Sequence, residues 1–305
     1  MKRVLICDPV AKEAVAILSN AGIAVDEKSG LKEPDLVSCI GDYDGVIVRS
    51  ATKITRPVIE AGKRLKVIAR GGVGLDNIDV ACAKERGIPV VNTPHASSIS
   101  VAELAIGLIF AVARAIPAAD ASIKAGKWEK KKFMGSELYG KKIGVIGIGR
   151  IGQEIAVRAL GLGMKVTTCA RTRRCAPIVQ APLMEACDLD ALLRESDIIT
   201  LHIPKTKEST HLIGEKQFAM MKKGVIIINC ARGGVVDEKA LYEALQSGKV
   251  RGAALDVFEI EPPAPDNPLL KLENVVATPH IGASTVEGQF RVGTEVAALV
   301  VDKLK

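Results

Sequence analysis

Three residues able to do chemistry together stand just beyond apolar runs late in the chain. Arg232 follows VIIINCA, Glu261 follows LDVFEI and precedes Pro262, and His280 follows VVATP. A guanidinium can hold a carboxylate through two parallel hydrogen bonds. An imidazole can give or take a hydroxyl proton near neutral pH. A carboxylate beside that imidazole fixes its tautomer and stabilises its cation. Taken singly, each has a bland alternative: a surface arginine, a capping glutamate, a hydrogen-bonded core histidine. If the three runs are parallel strands of one open sheet, all three residues lie beyond carboxyl ends, where such sheets bind ligands. The set then suits proton transfer next to an anchored carboxylate.

A second group lies upstream. KIGVIGIGRIGQEIA reads as an apolar strand, the pattern G-x-G-x-x-G and a helix. Gly147 allows the tight turn, Gly149 lets backbone approach a pyrophosphate, and Gly152 lets helix and strand pack closely. The helix N-terminus adds free N–H groups and partial positive charge. In this arrangement the next strand commonly ends in Asp or Glu, which accepts hydrogen bonds from the adenosine ribose of NAD. Here KVTTC is followed by Ala170, then Arg171, Thr172, Arg173 and Arg174. Ala170 has no charge to repel a 2′-phosphate, and Arg171, Thr172 and Arg174 offer donors to one. The cofactor expected is NAD(P), with NADP(H) favoured over NAD. The alternative is a surface loop whose arginines point into water while NAD binds through its pyrophosphate. His202, ending DIITLHIP, reads as lining the nucleotide site; His95 reads as a polar hinge residue and His211 as a surface residue. Four scattered histidines without clustered ligands argue against a catalytic metal.

These residues need rigid elements to position them. RVLIC, GVIVRS, KVIAR and IPVVN read as buried parallel strands, separated by helical patterns at 10–22 and at 76–87, the latter capped by Asp76 and stopped by Gly87. An apolar helix is expected over 97–116, capped by Ser97 or Ser98 and halted before Pro117. From Lys142 the alternation restarts with KIGVIG, KVTTC, DIITLHIP, GVIIINCA, RGAALDVF and VVATPH. A last helix, 284–305, is placed so that it could return to the first unit. The fold class is therefore α/β, with two doubly wound parallel-sheet domains of Rossmann-like and flavodoxin-like type. The expected boundaries are 1–95 plus 284–305 for a substrate-binding domain and 96–283 for the dinucleotide-binding domain.

With 305 residues, 48% hydrophobic and 25% charged, the chain suits a globular enzyme of two cores. No apolar run approaches a membrane span, and the start enters strand-like sequence without a leader pattern. Seven scattered cysteines without a CxxC suit a reducing cytoplasm. The net charge of +7 is spread out, with few aromatics and no nucleic-acid motif, so small anionic ligands rather than nucleic acid account for it.

The motifs VRSATK (48–53), ARGGVGLDNID (69–79), NTP with SVAEL (92–104), GKWEKKKFMGSEL (126–138), GIGRIG, NCARGGVVDE (229–238), AALDVFEIEPP (253–263) and TPHIGAST (278–285) together resemble the D-2-hydroxyacid dehydrogenases. The resemblance covers essentially the whole chain and implies an active site in the cleft between two domains. It implies His280 as general acid/base paired to Glu261, with Arg232 on the substrate's α-carboxylate. It also implies backbone contacts to that carboxylate from Gly72 and Val73, and a patch of Arg49, Ser50, Thr52, Lys53 and Arg70 facing the rest of the substrate. Arg150 and Ile151 match pyrophosphate contacts. His202, Ile203, Pro204, Cys230, Ala231 and Gly282 would line the cofactor site, and Asp256 would hold the nicotinamide amide. The stretch around Trp128 resembles a dimer arm that brings Lys131 and Lys132 toward a partner's site; the alternative is a solvated charge run. A homodimer acting on a small phosphorylated 2-hydroxyacid is expected. An unphosphorylated hydroxyacid, or a cofactor-sensing scaffold without turnover, are the alternatives.

Overall fold

The structure, a computed structural model, describes residues 1–169 and 184–305. The expectations placed on Ala170, Arg171, Thr172 and Arg174 lie outside the described residues. The chain divides into two compact units, Met1–Ser98 with Ala283–Lys305, and Ile99–Gly282.

In the first unit, strand β1 (Arg3–Ile6) leads to helix α1 (Lys12–Asn20), β2 (Ala24–Glu27), α2 (Glu33–Cys39) and β3 (Gly45–Val48). Then come α3 (Arg56–Ala61), β4 (Val67–Arg70), α4 (Val80–Glu85) and β5 (Val90–Asn92). The five strands form one parallel sheet in the order β2-β1-β3-β4-β5. Alternate residues along each strand serve opposite faces. Val4, Ile6, Ile47, Val67 and Ala69 pack with one set of helical residues, including Ala14, Leu18 and Val300. Leu5, Val46, Val48 and Ile68 pack with another, including Leu36, Val58, Ile59 and Cys82. Burial on both faces is why GVIV and VIAR are unbroken apolar runs.

Two details depart from the sequence reading. The strand β2 had no expected counterpart, since AVDE is a half-exposed edge strand with no continuous apolar run. The helix expected over 76–87 begins later, at Val80, and its cap is Asp79, whose carboxylate accepts from the Cys82 amide at 2.8 Å, rather than Asp76. The residues before Asp79 form a turn closed by the Ile78 amide on the Leu75 carbonyl at 3.0 Å, and Ile78 then bridges Ile54 in parallel.

The second unit opens with α5 (Ser98–Ala113) and α6 (Ile116–Lys124), then β6 (Lys142–Ile146), α7 (Arg150–Gly161), β7 (Lys165–Cys169) and β8 (Met184–Ala186). It continues through α8 (Leu189–Glu195), β9 (Ile198–Leu201), α9 (Glu215–Met220), β10 (Val225–Asn229), α10 (Glu238–Gln246), β11 (Val250–Leu255) and β12 (Val275–Ala277). The last helix, α11 (Val286–Leu304), belongs to the first unit, where it packs on α1. The expected apolar helix stops at Ala113, short of 116. Ala115 turns left-handed (φ 50°), and the chain bends by 63° into α6, whose first turn accommodates Pro117 because no amide is needed there. Among the described residues no single helix is long and apolar enough to cross a membrane.

The seven strands of this unit are parallel in the order β12-β11-β10-β9-β6-β7-β8. Chain order runs outward from β6 to β8, then restarts at β9 on the other side of β6. The loops after β6 and β9 therefore flank a topological switch point, where open sheets of this kind bind ligands. Residues of α5 and α7, such as Ala105, Ile109, Ile155 and Ala159, pack against one side with Ile143, Val145 and Ile228. Residues of α8, α9 and α10, such as Leu193, Phe218 and Leu241, pack against the other with Ile199, Ile227 and Leu255.

Candidate active site

The glycine loop occupies the switch point. Gly147 has φ 96°, and a Cβ there would collide with the His202 carbonyl oxygen across the two central strands. A Cβ on Gly152 would collide with the Gly147 carbonyl oxygen. Both glycines are thus required by close packing within the chain. Gly149 is different: it caps α7, and a Cβ there would meet nothing within 4 Å. Open space over the N-terminus of a helix, beside amides with no intrahelical acceptor, fits a dinucleotide pyrophosphate. Arg150 and Ile151 form the first turn of that helix.

His202 stands on the loop after β9, with Ile203 and Pro204 following it. Its Nε2 is 2.7 Å from Thr200 Oγ1, while Nδ1 is sealed from solvent with no partner. Burial holds its pKa down to about 3, so the ring is neutral and is no proton carrier near neutral pH.

Arg232, Glu261 and His280 follow β10, β11 and β12, three neighbouring strands. The structure brings the last two together: His280 Nδ1 lies 2.8 Å from Glu261 Oε2. The Phe258 amide donates to the other carboxylate oxygen at 3.1 Å. Burial alone would raise the pKa of Glu261. The His280 hydrogen bond and charge, the Phe258 amide and the Arg232 charge outweigh it and hold the carboxyl below its usual range. An ionised Glu261 fixes the imidazole proton on Nδ1 and leaves Nε2 for a substrate. His280 takes the left-handed conformation (φ 53°), uncommon for a residue with a side chain and a form of strain often found at functional positions.

Several residues hold this arrangement in ways that the sequence did not mark. Asp256, 1% exposed, accepts from the Ile281 amide (2.8 Å), the Thr278 hydroxyl (2.7 Å) and the Gly282 amide (2.8 Å). It thereby fixes the turn that carries His280. Buried Asn229 shapes the turn before Arg232, accepting from the Ala231 amide at 3.1 Å and donating to the Arg232 carbonyl at 3.1 Å. The Arg232 guanidinium itself donates to the Ala231 carbonyl at 2.7 Å. Gly233 lies so close to the Phe258 carbonyl that a Cβ would collide with it, which locks the Arg232 turn against the Glu261 turn. A brace on the outer side completes the turn: Glu259 Oε1 accepts from the Glu238 amide and faces His211 Nε2, each at 3.1 Å, and Glu238 Oε1 accepts from the Glu259 amide at 2.6 Å. His211 is exposed, as a surface residue would be, but it is an ordered part of this brace. Cys230 and Ala231 are buried beside the site, and burial pushes the Cys230 thiol up.

The first unit holds a basic loop of its own. Buried Asp8 at the end of β1 accepts from the Arg49 amide (2.5 Å), the Thr52 amide (3.2 Å) and the Thr52 hydroxyl (2.7 Å). Asn77 donates to the carbonyls of Arg49 (2.8 Å) and Thr52 (2.5 Å). Thr52 therefore shapes the loop, while Ser50 and Lys53 are exposed on it. The Arg49 guanidinium reaches Gln289 Oε1 at 2.5 Å, and its Nε is buried without a partner. Burial lowers the pKa of this guanidinium. Arg70 is buried, donating to the Gly74 carbonyl and lying 3.9 Å from Asp76. The Gly72 amide is committed to Thr93 Oγ1 (2.9 Å), which leaves the expected amide contact to a carboxylate with Val73. In the second unit, Lys131 is exposed and Lys132 pairs with Glu273 at 3.1 Å. Among the described residues no group of three or more His, Cys, Asp or Glu is gathered to hold a metal ion.

Comparison with known proteins places this geometry in context. Residues 106–282 match the NAD binding domain of the D-isomer specific 2-hydroxyacid dehydrogenases. The D-3-phosphoglycerate dehydrogenase of Archaeoglobus fulgidus is 51% identical over 99% of this chain, which spans only 57% of that relative. The hydroxypyruvate reductase of Thermotoga maritima is 53% identical, over 99% of this chain and 98% of that protein. Among solved structures, the TT0316 protein from Thermus thermophilus superposes with a TM-score of 0.91 at 36% identity, covering 99% of this chain and 96% of its own. With more than half of the chain matched by the family's nucleotide-binding domain and the rest carried by full-length likeness, the chain belongs to the D-isomer specific 2-hydroxyacid dehydrogenase family.

Proposed function

We propose that the protein oxidises 3-phosphoglycerate to 3-phosphohydroxypyruvate, reversibly, with a nicotinamide cofactor. The observation that carries the reaction class is the Glu261–His280 pair at 2.8 Å, with the Arg232 charge acting on it. Arg232 anchors the substrate α-carboxylate by paired hydrogen bonds and polarises the C2 oxygen. His280 Nε2 takes the C2 hydroxyl proton, and Glu261 stabilises the imidazolium that results. The bound nicotinamide ring supplies the hydride acceptor in one direction and the donor in the other. Gly147, Gly149, Arg150, Ile151 and Gly152 would hold the pyrophosphate, and Ile203, Pro204, Cys230, Ala231, Asp256 and Gly282 would line the rest of the cofactor site.

Arg49, Lys53 and Arg70 supply the first unit's positive charge for a substrate phosphate, with Ser50, Gly72 and Val73 on the same loops. Lys131 or Lys132 of a second copy in a homodimer would add to it. The choice of NADP(H) over NAD rests on sequence alone: Ala170 in place of a carboxylate, then Arg171, Thr172 and Arg174. Seven scattered cysteines without a CxxC pattern support the cytoplasm as the compartment. A second reading, reduction of unphosphorylated hydroxypyruvate, is favoured by the length match to the Thermotoga maritima reductase.

One set of assays separates these readings: kcat/KM for phosphohydroxypyruvate and for hydroxypyruvate, each with NADH and NADPH. The wild type should prefer the phosphorylated acid and accept NADPH at least as well as NADH; Ala170→Asp should turn that preference to NADH. Equal values for the two acids would hand the assignment to the reductase reading. His280→Asn, a residue that tolerates the left-handed backbone, should lower kcat by roughly 10²- to 10⁴-fold with cofactor binding retained. Near-normal turnover in that variant would remove the mechanism.

A further inference from the structure

We propose that Cys169 and Cys187 are an intrachain disulfide site whose oxidation loosens the glycine loop; the second half of this rests on the cofactor reading above. The strands β7 and β8 pair in parallel with Thr168 opposite Ala186, which makes Cys169 and Cys187 the next residues in register. Residues in register on neighbouring strands project to the same face. Both thiols are half-buried, and both pack against the same hydrophobic cluster. Cys187 Sγ lies 3.1 Å from Thr167 Oγ1, and Thr167 is the same-face neighbour of Cys169 along β7. Neighbouring strands lie about 4.8 Å apart, inside the range of roughly 4.4–6.8 Å that a disulfide spans between Cα atoms. Because β8 is a three-residue strand that among the described residues pairs on one side only, it can yield to bring the sulfurs closer to bonding distance.

The coupling runs through the backbone of Cys169. Its carbonyl accepts a hydrogen bond of 2.9 Å from the amide of Gly147, the first glycine of the phosphate-binding turn. Closing the bond draws the two strands together at this level, and the part of that movement taken by Cys169 draws the acceptor away from Gly147.

The chemistry balances with a low-molecular-weight disulfide as oxidant. One cysteine thiolate attacks a sulfur of oxidised glutathione, forming a mixed disulfide and releasing one glutathione thiolate. The second cysteine thiolate attacks the protein-side sulfur and releases the second. The two protons lost by the cysteines pass to the two released thiolates, and the protein gives up the two electrons that reduce the oxidant. Burial raises the Cys169 thiol, so the exchange should quicken as pH rises.

The test uses the full chain, reduced and then incubated with oxidised glutathione at about pH 8, near ordinary thiol pKa values. Intact mass, peptide mapping and NADPH binding by cofactor fluorescence are then measured. The expected product has lost two hydrogens, links the Cys169 and Cys187 peptides, and reverts with dithiothreitol. Its Kd for NADPH rises about fivefold, as expected for loss of one ordinary hydrogen bond. Cys187→Ser should show neither the cross-link nor the change in Kd. Stable glutathione adducts on both cysteines without a cross-link would overturn the proposal, since the thiols would be out of each other's reach. A cross-link with unchanged Kd would overturn the coupling to Gly147. If the reduced chain binds neither NADH nor NADPH, the cofactor reading has failed, and the cross-link alone decides the thiol pair.

Discussion

His280 owes its position to a buried carboxylate on another loop. Asp256 is buried and gathers two backbone amides and a hydroxyl from the 278–282 turn. Asp256→Asn keeps the volume but sets an NH2 group against one of those donors. Leaving such a buried donor unsatisfied costs about 1–3 kcal/mol. The variant should lose that much stability in urea titration and should lose more in kcat than in KM, because the imidazole is misaimed while the carboxylate anchor at Arg232 remains. A kcat equal to wild type in the destabilised variant would show that the turn presents His280 without Asp256. Arg232, Glu261 and His280 were legible as candidates, since each stands a few residues past an apolar strand, and the structure brings the last two within 2.8 Å of each other. Asp256, Asn229, Asp8 and Asn77 were not legible as holders of turns. Their partners lie on other loops, and no spacing rule says which amide a buried carboxylate will meet.

At the scale of elements, the turns after β10 and β11 are held to one another by a close glycine contact as well as by the Glu238–Glu259 brace. Gly233 touches the Phe258 carbonyl, and this contact sets how far Arg232 stands from Glu261. Gly233→Ala forces two backbones apart and should cost about 2–4 kcal/mol, at the upper end for a single substitution. A displacement of this kind should lower kcat/KM for the 2-oxoacid by about 10²-fold. The pyrophosphate turn at Gly147–Gly152 is a separate loop, so NADPH affinity, which Cys230 and Ala231 share in, should fall by less than kcat/KM in fluorescence titration. Unchanged kcat/KM would mean that the two turns are positioned independently. The strands that carry these turns were legible because burial on both faces writes continuous Val/Ile runs. The strands β2 and β8 were not: each is short, partly or largely exposed and, among the described residues, paired on one side. The end of α5 was misread for a different reason. A proline two residues into a helix is compatible with helix, so Pro117 marked the beginning of α6 rather than the end of α5.

For the molecule as a whole, the exposed apolar side chains are unevenly placed. Ile116, Ile123, Trp128, Met134 and Tyr139, between 51% and 85% exposed, fall within one stretch of the second unit. Isolated exposed apolar residues need no explanation, but five large ones within one stretch would suit an interaction surface if they adjoin. A second copy of the chain is the simplest occupant, since closed two-fold dimers are the commonest assemblies. Trp128 is the sole tryptophan, so tryptophan emission, excited selectively over tyrosine, reports on this stretch alone. At micromolar concentration the protein should sediment as a dimer, with an emission maximum shifted to the blue of free indole in water. Dilution to dissociation should move the maximum to the red as Trp128 becomes solvated. Met134→Asp, which sets a charge in the stretch without touching Arg232, Glu261 or His280, should weaken the dimer and move the emission at concentrations where the wild type remains paired. If Lys131 or Lys132 of the second copy reads the substrate phosphate, that variant should also lose kcat/KM for phosphohydroxypyruvate more than for hydroxypyruvate. A monomeric, fully active protein with water-exposed Trp128 emission would remove both the dimer and the partner's share in the site.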